Sequence, residues 1–334
     1  MSTGIDPQAI AAAAPSRRRS GGAARWLAAR IFGGIGVLWA AATLTFLLQT
    51  VTQHDRARQI ISQQTGTTAN PTKEVTARVN HEFGFDHSVL HQYADYIGGL
   101  ARGDFGVSYY QHQTVTSIIG GQIGPTLVLT FVSLLLAWAI AVSLTLLGAG
   151  RRNAWSAIAN FLQMLSASLP TYWVGSILLV VFGVQLGIFP VVGGSPLVAL
   201  VLPAFTMALP VSGFLGQVIQ EEFDAALEQP FVTTSRSRGI TDFGVRTRHV
   251  LRHATLPGLT LSGWAVGYLF SNAVLVELVF ARPGIGSVLT TAASNGDVPL
   301  VTGVVLASAA IYVAANIIVD FLYGLVDPRL RVSS

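Results

Sequence analysis

The sequence predicts an all-α, polytopic membrane protein that crosses the bilayer six times. Of its 334 residues, 51% are apolar and only 11% are charged, and the mean hydropathy is +0.56. Soluble domains carry about 25% charged residues, so this composition excludes an ordinary soluble fold. Each of six apolar runs is long enough to cross a hydrocarbon core of about 30 Å. These runs lie at 31–51, 127–147, 172–190, 197–219, 261–280 and 300–325.

The N-terminal segment 1–24 is rich in Ala, Ser, Gly and Arg and lacks apolar periodicity, which predicts a disordered cytoplasmic tail. Arg17, Arg18 and Arg19 precede the first apolar run, as basic residues do in a secretion signal. The run itself is longer than the apolar core of a signal peptide, which has about 7–15 residues. We therefore predict an uncleaved first transmembrane helix at 25–51 and a short C-terminal tail at 332–334.

The longest polar interval, 52–124, is predicted to be an extracytoplasmic helical loop. Its apolar residues recur at helical spacing, and a glycine-containing turn follows at 102–106. We expect amphipathic helices that pack on the outer surface of the membrane domain and remain available to a partner. The rest of the core, 125–331, holds five spans. An amphipathic segment at 155–169 either lies in the membrane interface or extends the third span.

The arginines indicate the orientation, because basic residues concentrate in cytoplasmic loops. The short loops on the far side of the membrane from the N-terminus carry only Arg282, and a loop as long as 52–124 counts little in this rule. We predict that both termini and the loop 220–259 are cytoplasmic. The arginines on that side are Arg17, Arg18, Arg19, Arg25, Arg30, Arg151, Arg152, Arg236, Arg238, Arg246, Arg248, Arg252, Arg329 and Arg331.

Composition and motifs exclude several kinds of function. The net charge of +4 lies at the ends of apolar runs, so we predict a lipid membrane and no nucleic acid as partner. Charged residues within the predicted spans are limited to Glu277 and Asp320, whereas ion-driven carriers use acidic or histidine relays. Two classes stand as alternatives to a transport protein that is driven by ATP hydrolysis in another chain: an ion-driven secondary carrier and a non-transporting membrane scaffold.

The sequence also lacks the motifs of an enzyme. There is no cysteine, no nucleotide-binding G-x-x-x-x-G-K-[ST] motif and no G-x-S-x-G motif, so any ATP that drives transport must be hydrolysed by another chain. His87 and His91 are four residues apart, but no H-E-x-x-H pattern accompanies them. We therefore predict a solvated histidine pair and no metal site.

The loop at 220–259 needs a reason to be long, because a short turn would join its two spans. It is polar, carries five arginines and contains the helix-breaking Gly239 near its middle. We predict that it is a docking surface for a soluble partner.

Several motifs carry a resemblance to a known family. The segments PFVTTSRSRG at 230–239 and RHVLRHATLP at 248–257 resemble the signature loop of binding-protein-dependent ABC-importer permeases, in the dipeptide/oligopeptide (nickel) branch. The segment ELVFARPGIG at 277–286 resembles the family's Glu-x-x-Phe-x-x-Pro-Gly-x-Gly. DVPLV at 297–301 resembles the family's Asp-Tyr-Pro-x-Val, and DPRLR at 327–331 resembles its closing Asp-Pro-Arg-Ile-Arg. FGFD at 83–86 with RGDFGVS at 102–108 fits the first of two permeases.

The resemblance implies a type I ABC-importer permease in a bacterial plasma (inner) membrane. Its expected partners are a second homologous permease, two ABC ATPase subunits that bind ATP and Mg²⁺, and an extracytoplasmic solute-binding protein. The solute-binding protein would bring a peptide or similar small solute to the loop 52–124. The chain itself is expected to hold no cofactor and to catalyse no reaction.

The resemblance also implies the site residues. A short coupling helix at 229–238, ended by Gly239, is expected to dock into the ATPase; a glycine there tolerates the positive φ of a sharp helix exit. Its expected contact residues are Phe231, Thr233, Thr234, Ser235, Arg236, Ser237, Arg238 and Gly239. A structural motif is expected at Glu277, Pro283, Gly284, Gly286, Asp327, Pro328 and Arg329.

Several positions depart from the family pattern: Pro230 replaces an expected acidic residue, and Ser235 and Ser237 replace alanines. Thr233 stands where the family signature opens with glutamate, and acidic residues at 221–228 stand where the family usually has an arginine. For Glu277, we expect a capping or pairing role near the outer interface and not a role in the substrate path.

Overall fold

The structure is a computed structural model that describes residues 21–52, 57–58, 60–61, 71–82, 84–150 and 154–326. These residues form helices and one isolated β-bridge, between Val107 and Thr114. In chain order the main helices are α1 Gly21–Thr52, α2 Lys73–Glu82, α3 Val89–Ala101, α4 Val115–Gly148, α5 Ala154–Ser168, α6 Thr171–Leu178, α7 Val198–Leu227, α8 Pro230–Ser237, α9 Asp242–Val245, α10 Leu251–Val279, α11 Ile285–Ser294 and α12 Val298–Val326. A π-helical segment at Leu179–Gln185 extends α6, and another at Arg246–Val250 joins α9 to α10.

Five helices of the described chain are long and apolar enough to cross a membrane: α1, α4, α7, the continuous α9–α10 and α12. A bent pair, α5 and the extended α6, passes the same test together, and its two helices meet at 107°. Pro170 caps α6 with extended backbone angles. Proline lacks an N–H and disfavours a helical residue before it, which explains the break. The amphipathic segment predicted at 155–169 is thus a separate helix and does not extend the third span.

Two helices begin earlier than the predicted boundaries. The first, α1, begins at Gly21, inside the segment predicted as tail, while residues 1–20 lie outside the described part of the chain. Helix α4 begins at Val115, inside the segment predicted as extracytoplasmic loop. Its first turns bury Val115, Ile118 and Ile119 against α12, and this tertiary packing extends the helix beyond the apolar run.

Helix α7 is the centre of the bundle and packs against α4, α5 and α10. Small residues let these helices approach closely, as is usual in membranes. A Cβ atom on Gly213 would lie 2.6 Å from the backbone nitrogen of Ala167 in α5. A Cβ atom on Gly258 of α10 would lie 2.8 Å from the ring of Trp138 in α4. The bundle is therefore held by close contact of helix backbones.

We call the end of the bundle that carries α2, α3 and α11 the loop end, and the opposite end the α8 end. At the loop end, α3 packs on α1: the rings of Tyr93 and Tyr96 lie 5.3 Å and 5.5 Å from the ring of Phe46. The Tyr93 hydroxyl is 2.7 Å from the hydroxyl of Thr43. Burial raises the pKa of Tyr96 to about 12. Helix α3 is therefore fixed to the membrane domain along one face.

Candidate functional site

Helix α8, at the α8 end, has an anchored face. It begins at Pro230, a favoured first residue of a helix, and its N-cap is Gln229. Val232 is buried, and the half-buried ring of Phe231 lies 5.2 Å from the imidazole of His253 in α10. These two contacts seat α8 on the membrane helices.

The opposite face of α8 is open. Ser235 is half-buried and donates a hydrogen bond to the Phe231 carbonyl at 2.8 Å. At the exit, Gly239 has φ +81°, a left-handed conformation that favours glycine, and its N–H donates to the Arg236 carbonyl at 2.9 Å. Of the residues predicted to contact the ATPase, those exposed are Thr233, Thr234, Arg236, Ser237, Arg238 and Gly239.

A chain of charged hydrogen bonds connects α8 to the transmembrane helices. Arg236 Nη2 donates to Asp242 Oδ1 at 2.8 Å, and Arg246 Nε donates to Asp242 Oδ2 at 2.8 Å. Arg246 is 5% exposed, and its Nη1 donates to the carbonyl of Ala149 at 2.7 Å. Ala149 is the C-cap of α4, so one carboxylate and one buried guanidinium join α8, α9 and α4. Charge-assisted hydrogen bonds are strong where they are buried, as at Arg246, whereas solvent weakens the pair of Arg236 and Asp242, whose side chains are 52% and 54% exposed.

The acidic segment at 221–228 supports the same junction. Asp224 Oδ1 accepts the N–H of Gly150 at 2.6 Å, which fixes the residues that follow α4. Gly150 has φ +64°, and a Cβ atom there would collide with Leu227 and lie 3.2 Å from Arg246 Nη2. The Arg246 guanidinium carbon lies 5.8 Å from the centre of the Phe223 ring. The other acidic residues of the segment are exposed: Glu221, Glu222 and Glu228.

A second junction, at the loop end, is built around the buried carboxylate of Glu277, which is 1% exposed. Its Oε1 accepts the Thr126 hydroxyl at 2.5 Å, and its Oε2 accepts the N–H groups of Gly286 at 2.7 Å and Ser287 at 3.4 Å. Thr126 Oγ1 in turn accepts the N–H of Ile285 at 2.9 Å. Glu277 and Thr126 thus cap the N-terminus of α11, where backbone N–H groups lack helical partners.

The glycines of this motif leave room for the carboxylate. A Cβ atom on Gly284 would collide with the Glu277 carboxylate, and one on Gly286 would lie 2.8 Å from Glu277 Oε2. Pro283 is exposed in the turn between α10 and α11. The segment 277–286 is therefore one structural unit that joins α4, α10 and α11. The predicted motif residues Asp327, Pro328 and Arg329 lie outside the described residues, as does the side chain of Asp320.

Asp297 forms a third junction that sequence reasoning noted only as part of a motif. Fully buried, it accepts the Ser108 hydroxyl on Oδ2, and the N–H groups of Tyr109 at 3.2 Å and Tyr110 at 3.3 Å. It ties the segment before α4 to the start of α12. Arg246 was also missed, since it was counted only for topology. A signal existed there, because Asp242 and Arg246 are spaced i, i+4.

A cavity of about 550 Å³ also opens at the loop end. Its walls are mainly proline, valine, leucine and phenylalanine, from 189–203 and the turn at 280–283. Among the described residues that line it, Arg282 alone is charged, and it donates to the carbonyl of Ala199 at 3.0 Å. Specific small-molecule sites combine apolar walls with several convergent polar groups, so this cavity does not define such a site.

These features describe a helical membrane domain with a polar junction at each end and an exposed, anchored helix at one of them. Residues 133–332 match the family described as binding-protein-dependent transport system inner membrane component, and residues 23–130 match the N-terminal domain of such components. The chain belongs to this family and is a multi-pass membrane permease of an ABC importer. The resemblance seen in the signature loop and the predicted fold class are thus confirmed.

The chain is similar over most of its length to curated permeases. It is 30% identical over 311 residues to a peptide transport system permease protein of Brucella abortus (strain 2308), with 90% of this chain and 97% of the relative covered. It is 28% identical over 303 residues to the glutathione transport system permease protein GsiC of Escherichia coli (strain K12), with the same coverage.

Proposed function

We propose that this permease imports short peptides or similar small solutes, and that it forms half of a translocation pathway with a second homologous permease. The similarity to permeases named for peptide and for glutathione transport supports this substrate class. Glutathione is itself a small peptide, so both names point to one kind of solute. The first-permease motifs of the sequence support a partner permease of the second type.

We further propose that two separate ATPase subunits, which bind ATP and Mg²⁺, dock on α8. The observation that carries this proposal is the link from Arg236 through Asp242 and Arg246 to the end of α4. A force applied to the exposed face of α8 reaches α4 through these bonds, and reaches α10 through Phe231 and His253. The exposed guanidinium groups of α8 suit an acidic groove on the partner.

The arginine distribution supports an orientation in which both termini and α8 are cytoplasmic. In a bacterial plasma membrane, the loop end then faces outward. Helices α2 and α3 lie at that end and offer a surface to an extracytoplasmic solute-binding protein. This arrangement separates the two docking surfaces by the thickness of the membrane.

Reconstitution tests these proposals together. The chain is purified with a candidate second permease, ATPases and binding protein, and is placed in liposomes with ATP inside. We expect uptake of labelled di- and tripeptides or glutathione that requires every component. Uptake that persists without ATPases would indicate an ion-driven carrier and overturn the proposal. Stable assembly without uptake of any tested solute would favour a scaffold.

The docking of α8 has its own test. The double variant Arg236→Ala/Arg238→Ala is compared with Arg102→Ala, a matched substitution of an exposed arginine at the loop end. We expect the α8 variant to lose ATPase co-purification in low-salt buffer, while the control retains it. Equal retention of the ATPase in both would refute docking through these arginines.

A further inference from the structure

We propose that His87, His91 and Asp95 form a binding site for a divalent transition metal ion such as Zn²⁺ or Ni²⁺. The site lies on the solvent-facing side of α3, at the loop end. It is separate from the junctions at Glu277, Asp297 and Arg246. It also reverses the prediction from sequence, which considered the two histidines alone.

The donor atoms of the three side chains already lie close together. One ligand atom from each residue falls within 4.8 Å of the other two. His91 Nε2 is 3.4 Å from Asp95 Oδ2, and the rings of His87 and His91 are 4.8 Å apart. Zinc binds imidazole and carboxylate donors at about 2.0–2.2 Å, so tetrahedral donors lie roughly 3.4 Å from one another. Small side-chain rotations therefore bring all three donors onto one ion.

The backbone around the site is held in place without a metal. His87 precedes the helix, and its N–H donates to the Gly84 carbonyl at 3.3 Å, in a turn where Gly84 has φ +67°. The Gln92 side-chain amide donates to the carbonyls of His87 at 2.8 Å and Phe85 at 3.2 Å. Ser88 caps α3 by accepting the N–H of His91. The turn and the helix thus present their donors from fixed positions.

The site faces away from the membrane domain. Tyr93 and Tyr96 pack on α1, whereas His91 and Asp95 lie on the opposite side of α3 with side chains that are 59% and 66% exposed. An ion therefore reaches the site directly from solvent. Substitutions of the ligands leave the contacts between α3 and α1 intact, so we expect the variants to fold.

The donor set selects the class of metal. Two imidazoles and one carboxylate suit Zn²⁺, Ni²⁺ and related ions, whereas Ca²⁺ and Mg²⁺ prefer oxygen ligands only. The chain has no cysteine, so no thiolate of the protein competes for the ion. A fourth position is left for water or for a donor from a partner protein.

Calorimetric titration of the full-length protein with ZnCl₂ tests the site. The protein is prepared in lipid nanodiscs without a polyhistidine tag, and we expect one Zn²⁺ ion per chain. His91→Ala and Asp95→Asn should each weaken binding on the order of tenfold. His81→Ala, an exposed histidine of α2, is the matched control and should bind as the wild type does.

Cobalt provides a second readout, because Co²⁺ in a tetrahedral nitrogen and oxygen site absorbs visible light. We expect this absorption in the wild type and its loss in the double variant His87→Ala/His91→Ala. Absence of stoichiometric Zn²⁺ binding, or binding of equal strength in the double variant, would overturn the proposal. Neither result bears on transport, because the titration involves no partner and no solute.

Discussion

Replacing Glu277 by glutamine should weaken the attachment of α11 while leaving the side-chain volume almost unchanged. The carboxylate acts only as a hydrogen-bond acceptor, and its donors are the Thr126 hydroxyl and backbone N–H groups of α11. A glutamine keeps one acceptor oxygen, which Gly286 would take. Its NH₂ group then faces Thr126 Oγ1, which already accepts the N–H of Ile285. The Thr126 hydroxyl hydrogen is left without its acceptor.

The expected loss follows from these contacts. A buried hydrogen bond to a charged group contributes about 1.5–3 kcal/mol and a neutral one about 0.5–1.5 kcal/mol. Weakening the two bonds from the N–H groups of Gly286 and Ser287 therefore costs about 2 kcal/mol. One unsatisfied hydroxyl adds about 1 kcal/mol, for a total of about 3 kcal/mol. Glu277→Ala leaves every donor unpaired and creates a cavity, so we expect about 4–5 kcal/mol.

Thermal unfolding in detergent, followed by size-exclusion chromatography, measures the effect. Glu222→Gln is the control, because Glu222 is exposed at the end of α7. We expect the control to melt with the wild type, Glu277→Gln to melt several degrees lower, and Glu277→Ala to melt lowest. A Glu277→Gln protein with wild-type stability but altered solute preference would refute the capping role and indicate a role in the substrate path.

Three further predictions concern the other junctions. Gly239→Pro should abolish ATP-coupled uptake but not membrane insertion, because proline cannot adopt φ +81° and has no N–H to donate to the Arg236 carbonyl. The control Gly239→Asn should keep most uptake, because asparagine tolerates a positive φ. Wild-type uptake by the proline variant would contradict this prediction. In Arg246→Lys, one ammonium group cannot reproduce the guanidinium's bonds to both Asp242 and the Ala149 carbonyl, so we expect a loss of about 2 kcal/mol in the same melting assay. The control Arg248→Lys changes an exposed arginine and should melt with the wild type. Asp297→Asn leaves fewer acceptors for four donors and should speed limited proteolysis within 104–114. An unchanged cleavage rate would count against this junction.

The spans and α8 could be predicted from sequence because local chemistry determines them. Apolar runs mark the spans. The helix at 229–238 was expected from the resemblance of its segment to the family signature loop, and Gly239 suits its exit. The observed α8 helix, Pro230–Ser237, lies within that range. The bend of 107° between α5 and α6 was not predicted, although Pro170 marks its position. An apolar run shows that a segment is buried in lipid but not the direction in which it enters.

The junctions at Arg246 and Asp297 could not be predicted, because each joins residues far apart in the chain, whereas a capping or pairing role was expected for Glu277. Arg246 reaches Ala149, and Asp297 reaches Ser108, through contacts that no local pattern encodes. The acidic segment at 221–228 departed from the family pattern and had no explanation from sequence. The contact of Asp224 with Gly150 explains one of its members.

The junction carboxylates all lie near helix ends, and this position suggests how a movement of one helix reaches the others. Glu277, Asp297, Asp224 and Asp242 all lie at or near helix ends, and each accepts backbone N–H groups or guanidinium groups from another element. Carboxylates with several donors tie helix ends together, and in the middle of the bundle Gly213 and Gly258 bring the helices into close contact. A displacement of α8 should therefore shift α4 and α10 as units. For this reason, substitutions at the junctions should reduce coupled uptake more than apolar substitutions of equal volume on the lipid-facing side of α1.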